Sequence, residues 1–178
     1  MNDLRLTELD SKYAAQLADF LAEFPVGHMT ATPDPCHIPG TDGLERCGSI
    51  AGWLGYCASM RGKITWYLTV RESDGRLIGC ACLRHRTEYD DDDPEFASHI
   101  GCSVRPSEQG KGFGKVQLGL MLREAARLGI DPVRVICRDS NTASRRIILA
   151  NGGILRDTLY GEESGFTVCR YDIPTAGL

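Results

Sequence analysis

An α+β fold around a central mixed, mostly antiparallel sheet of about six to seven strands, with helices on both faces, is the architecture this sequence predicts. Strand-like runs joined by a tight turn come first, a strand-helix-strand-helix stretch follows, and extended runs close the chain. At 178 residues and 42% hydrophobic content, the chain has the material for one sizeable core, and a single domain spanning 1–178 is expected.

Leu4, Leu6 and Leu9 alternate with polar residues as a short strand does, and Asp10 or Ser11 can cap the helix that follows. In that helix Tyr13, Leu17, Phe20, Leu21 and Phe24 recur at spacings of three and four, forming one apolar stripe that stops at Pro25. Four prolines between 25 and 43 preclude regular structure and predict a long loop. Helical period returns over 44–60. The runs 64–70 and 76–83, joined by Glu72-Ser73-Asp74-Gly75, predict an antiparallel hairpin whose glycine takes a positive φ. An acidic run at 90–95 precedes a strand over 96–104. A helix (112–128), a strand (133–137), a shorter helix (142–150) and extended runs near 154–159 and 166–173 complete the order.

Twenty Lys plus Arg against 24 Asp plus Glu leave a net charge of −4, which argues against nucleic acid as a partner. The distribution is lopsided: residues 101–150 carry nine cations and four acids, so the remainder is strongly acidic. No window approaches the ~18 consecutive apolar residues of a membrane span, and the first ten residues lack the apolar core of an export signal. No membrane partner and a cytoplasmic location are expected. Eight cysteines include no C-x-x-C pair, which favours free thiols over disulfides or a metal site. Cys80 and Cys82, two apart, share one face of a strand.

Chemistry concentrates in Val104-Arg105-Pro106-Ser107-Glu108-Gln109-Gly110-Lys111-Gly112-Phe113-Gly114-Lys115, immediately ahead of an amphipathic helix. Gly110, Gly112 and Gly114 are expected to turn the backbone with positive φ and aim successive N–H groups at one point. That point is a helix N-terminus, which favours an anion. Lys111 and Lys115 add positive charge, and the helix is expected to bury Leu118, Met121, Leu122, Ala125 and Leu128. A Walker loop requires Gly-Lys followed by Ser or Thr, but Val116 follows Lys115; a dinucleotide fingerprint fails by residue count as well.

Gln109 to Gly114 does match Q-x-x-G-x-G in full, and in this it resembles the acyl-CoA diphosphate loop of the GNAT superfamily of N-acetyltransferases. A second stretch, Asn141-Thr142-Ala143-Ser144 through Asn151-Gly152-Gly153, is similar to the family's later helix, so the likeness covers roughly 64–173. His99 to Glu108 and Ser144-Arg145-Arg146 are similar to a bacterial subgroup of that superfamily. The resemblance implies acetyl-CoA as co-substrate, held by the amides of Gln109, Gly110, Lys111, Gly112, Phe113, Gly114 and Lys115. It further implies strand-like pairing of the pantetheine arm with Cys102, Ser103 and Val104 in a wedge between two strands, and a contact from Asn141. No metal is implied. The partners would be acetyl-CoA and an amine acceptor, small molecule or peptide, with a homodimer left open.

Amide formation needs a neutral amine, and an amine of pKa ~10.4 is unprotonated only about once in a few thousand at neutral pH. Glu95 and His99, flanking the strand that would hold the thioester, are the candidate bases. Many relatives protonate the leaving thiolate with a Tyr seven residues after the helix-leading Asn, where this chain has Ile148. Tyr160, Tyr171, Ser144 or a water are the alternatives. A thiol of pKa ~8.5 leaves with little help, so transfer to a primary amine is the expected activity. A non-catalytic acyl-CoA sensor is the rival reading. The acidic run could attract a cationic acceptor.

Overall fold

A computed structural model describes residues 3–24, 37–87, 97–162 and 165–178. Its strands are β1 (Leu4–Glu8), β2 (Ile64–Arg71), β3 (Leu77–Arg84), β4 (Ile100–Val104), β5 (Val133–Arg138), β6 (Ile154–Gly161) and β7 (Phe166–Ile173). The helices are α1 (Ala14–Ala22), α2 (Leu44–Cys47), α3 (Ile50–Ser59), α4 (Phe113–Arg127) and α5 (Thr142–Leu149). The seven strands form two antiparallel sheets, ordered β1-β2-β3-β4 and β5-β7-β6, where the sequence predicted one.

Alternation along the strands divides the apolar residues between two cores. On one side Ala81, Leu83 and Ile100 of the first sheet and Val133, Val135, Cys137, Cys169, Tyr171 and Ile173 of the second pack against Leu118, Met121, Leu122 and Ala125 of α4. On the other, Trp66, Leu68, Val70, Cys80 and Cys82 pack against Leu17, Phe20 and Trp53 from α1 and α3. Leu128, expected in the core, is 50% exposed, because the helix ends at Arg127.

The β2–β3 hairpin forms as expected, with Gly75 at φ 69°. Asp10 accepts the Lys12 amide at 2.9 Å, closing a 3₁₀ turn ahead of α1. The single helix expected over 44–60 is two helices: Gly48, at φ 65°, ends α2, and the Ser49 hydroxyl accepts the Gly52 amide to start α3. Of the long loop, 25–36 lies outside the described residues; 37–43 lies flat on β3. The Cys80 thiol donates to the Gly40 carbonyl at 3.1 Å and the Cys82 thiol to Asp42 at 2.8 Å. The seven cysteines among the described residues are free thiols.

A side chain at Gly40 would place its Cβ 2.6 Å from the Cys80 carbonyl oxygen, at a φ of 90°. Gly40→Ala is therefore expected to cost about 2–4 kcal/mol, through backbone strain plus displacement of 37–43 from β3. Urea unfolding measures this, and a loss below 0.5 kcal/mol would show that this close approach is not maintained in solution.

Candidate active site

The two sheets are joined at one level. The His99 amide donates to the Arg134 carbonyl at 2.9 Å, and the Arg134 amide donates back to His99 Nδ1 at 2.8 Å. α4 carries the chain from the end of β4 back to the start of β5, so the two strands run parallel. Beyond the His99–Arg134 level they share no ladder, leaving a wedge that is closed at His99 and open toward Val104 and Arg138. Counting along both strands from the joint, Ser103 is level with Arg138.

The bend at the open end is braced from beneath. Arg105 is buried, donating from Nη1 to the Leu77 carbonyl at 2.9 Å, with Nε 2.9 Å from Glu23. The opposite Glu23 oxygen accepts the Ser107 amide. Glu108 is buried among Lys111 (2.9 Å), Arg76 (3.1 Å) and Arg71 (3.4 Å). The hydrogen bond from Lys111 leads the effects that hold its carboxyl below the usual range. Lys111, expected to face an anion, thus spends its charge on Glu108.

Gly110 and Gly112 have φ of 77° and 85°, as expected, and a Cβ on either would meet no protein atom. Gly114 departs from expectation. It lies in the first turn of α4 with ordinary helical geometry, and a Cβ there would come within 2.8 Å of Ile147, so its smallness seats α4 against α5. Gly112 caps α4 without a side-chain acceptor. The amides of Gly110, Lys111, Gly112, Phe113 and Gly114 have no hydrogen-bond partner among the described residues. Five successive unpartnered amides at a helix start are the kind of donor set that suits an anion.

Gln117, absent from the sequence reading, ties this helix to the strands. Its amide donates to the Cys80 and Ser103 carbonyls at 3.2 and 3.3 Å, and it fits only because residue 79 is a glycine. A polar residue on the apolar side of an amphipathic helix, facing a glycine in a strand, was the signal available.

The remaining expected site residues are scattered. Asn141 caps α5, accepting the Ser144 amide at 3.0 Å, with its Nδ2 uncommitted among the described residues. Tyr171 is buried, its hydroxyl 3.3 Å from Arg145 Nε, and Tyr160 stands 54% exposed on the edge strand β6. Both tyrosines lie beyond β5 from the wedge. Ile148 is buried in the core around α4. Glu95 and the acidic run at 90–95 fall outside the described residues.

A second polar cluster flanks the joint. Asp42 Oδ2 binds Arg84 at 2.5 Å, Asp42 Oδ1 is 3.2 Å from His37, and Arg84 also donates to the Ser98 carbonyl. Burial alone would lower the His37 imidazole, but Asp42 and Glu45 outweigh it and raise it to about 9. Burial would likewise raise Asp42, but the Arg84 and His37 charges push it far below the carboxylate range. At His99 burial, reinforced by Arg134, outweighs the opposing pull of Asp172 and lowers the imidazole to about 4.

The profile of the Acetyltransferase (GNAT) family matches residues 28–152. The chain belongs to this GNAT family. A search of curated proteins found no match. Among solved structures, the GNAT chain is similar to a Salmonella typhimurium acetyltransferase that modifies the N-terminal serine of ribosomal protein L7/L12 (18% identity, TM-score 0.71, 98% of this chain and 96% of that one). It is also similar to a spermidine N-acetyltransferase chimera from Vibrio cholerae and hSSAT (15%, 0.69, 98% and 97%). A third is a Salmonella typhimurium protein solved with its cofactor acetyl-CoA (17%, 0.68, 99% and 96%). At these identities the likeness is one of fold. No described helix of this GNAT chain is long and apolar enough to cross a membrane.

The two histidines move stability in opposite directions with pH. His99, lower when folded than its ordinary 6.5, contributes fully above pH 6.5 and loses that contribution as pH falls toward 4. His37, raised when folded, contributes fully below 6.5 and loses it as pH rises toward 9. Urea midpoints should peak near pH 6.5. His99→Gln should flatten the limb from 6.5 down to 4, and His37→Gln the limb from 6.5 to 9. A wild-type profile level from pH 4 to 9 would contradict both assignments.

Proposed function

We propose that this chain is an N-acetyltransferase that moves an acetyl group from acetyl-CoA directly to a primary amine. The observation that carries the reading is the wedge with unpartnered amides at its open end. The diphosphate would lie on the amides of Gly110 to Gly114, since those of Gln109 and Lys115, also expected to take part, already donate to the Pro106 and Gly112 carbonyls. The backbone edge of Cys102 to Val104 would pair with the pantetheine arm as a neighbouring strand would, and Asn141 Nδ2 would donate to it. An arm about as long as five extended residues reaches ~16 Å from the cradle, the length of β4, and so brings the sulfur near the joint.

Bound acetyl-CoA supplies an acetyl group activated as a thioester. A β4 amide near the joint donates to the thioester carbonyl and stabilises the negative charge that develops as the amine attacks. In the exchange the nitrogen–carbon bond forms, the carbon–sulfur bond breaks, the amine gives up a proton and the thiolate accepts one. His99 stays neutral at physiological pH, and its Nδ1 already accepts the Arg134 amide; we assign it the joint and leave Glu95 or solvent to take the amine proton. The thiolate takes its proton from water, because Ile148 offers none and a thiol is a good leaving group. Cytoplasmic residence and a metal-free reaction belong to this reading.

Because a side chain at Gly112 meets no protein atom, its cost to the fold is limited to φ strain of ~1–2 kcal/mol. Gly112→Val should nevertheless raise the Kd for CoA at least tenfold by occupying the anion's place over the amides. Calorimetry on folded variant measures this, and unchanged affinity would move the diphosphate elsewhere. Thiol release across an amine panel separates the enzyme from the sensor, since a sensor binds acetyl-CoA yet releases no CoA with any amine.

A further inference from the structure

With α4 and α5 covering one face of the second sheet, the opposite face is the one left for an amine to approach the wedge. That face carries Arg134 and Arg138 from β5, Arg170 and Asp172 from β7, and Arg156 and Asp157 from β6. Three of the four arginines are neutralised: Arg170 by Asp157 at 2.5 Å, Arg134 by Asp172 at 3.6 Å, and Arg156 by Asp172 at 3.7 Å. Arg138 is not, having no carboxylate within ion-pair distance among the described residues. Its guanidinium lies 3.8 Å over the Phe166 ring, and its Nε is buried without a hydrogen-bond partner among those residues.

A guanidinium held over an aromatic ring keeps its fork of donors oriented, which suits two-point binding of a carboxylate. Across the wedge at the same level, the Ser103 hydroxyl is also buried without a partner among the described residues. Ser103 pairs with Cys80, whose side chain lies in the α1–α3 core, so the hydroxyl points to the same face as Arg138. The cradle at the start of α4 lies on the other face, so the cofactor's diphosphate does not account for this pair.

We propose that Arg138, stacked on Phe166 and assisted by Ser103, binds a carboxylate of the amine acceptor. The acceptor class is then an acidic peptide-like amine rather than a polyamine. From the joint level to Arg138 is four residues of strand, so amine and carboxylate are separated by roughly 13 Å, as in a peptide with an acidic residue two places after its N-terminus. This rests on the reading of the wedge as an acetyl-transfer site.

The test compares Gly-Gly-Glu and Gly-Gly-Gln tripeptide amides, with spermidine as a polycation, by thiol release after acetyl-CoA binding has been confirmed by calorimetry. Wild type should favour Gly-Gly-Glu over Gly-Gly-Gln at least tenfold in kcat/KM and turn over spermidine less well than either. Arg138→Ala should bring that ratio near one through KM, with the acetyl-CoA Kd unchanged, and Arg138→Lys should restore part of it. Equal kcat/KM for the two tripeptides in wild type, a preference for spermidine, or a preference untouched by Arg138→Ala overturns the proposal alone. A raised acetyl-CoA Kd in Arg138→Ala overturns it by placing the arginine on the cofactor. Absence of acetyl-CoA binding in wild type overturns the underlying reading as well.

Discussion

Two hydrogen bonds between His99 and Arg134 decide what this molecule can do. They hold the sheets together at one level and commit the chain to leaving them apart beyond it. A strand edge that is unpaired inside a protein costs free energy unless something pairs with it. Here the unpaired edges of β4 and β5 converge on the joint, and the amides at the start of α4 crown their open end. The neutral state of His99 is part of the same device: a protonated Nδ1 could not accept the Arg134 amide.

Rigidity around the opening comes from groups that do not face a ligand. Glu108, Arg105 and Glu23 hold the bend from below, Gln117 fastens α4 to β3 and β4, and Gly114 lets α5 approach. Such bracing matters because a cradle of amides binds an anion well only when its donors need no rearrangement. The segment 37–43, fixed to β3 by two thiols and the Asp42–Arg84 pair, gives the neighbouring wall the same firmness.

Much of this was legible in the residues. Hydrophobic period placed nearly every element, and the spacing Gln109 to Gly114 identified the bend, because glycine at a helix start has few other uses. What escaped was tertiary. The roles of Gly114 and Lys111 depend on Ile147 and Glu108, neighbours that no local pattern names. The division into two sheets depends on one histidine ring accepting one distant amide. Gly48 splits a helix whose apolar period runs on unbroken, and the pairing of Arg170, Arg134 and Arg156 with two aspartates, which leaves Arg138 alone, emerges only from the register of β5, β7 and β6.

The central claim is that backbone amides at the mouth of the wedge take the cofactor's diphosphate. Amide chemical shifts in a titration of isotope-labelled protein with CoA address it directly, since glycine amides resonate in a distinctive region. The account predicts saturable shifts at Gly110, Gly112 and Gly114 and along Cys102 to Val104, with pantetheine alone leaving the glycines unmoved. Saturable CoA binding that leaves those glycine amides at their free positions would contradict it.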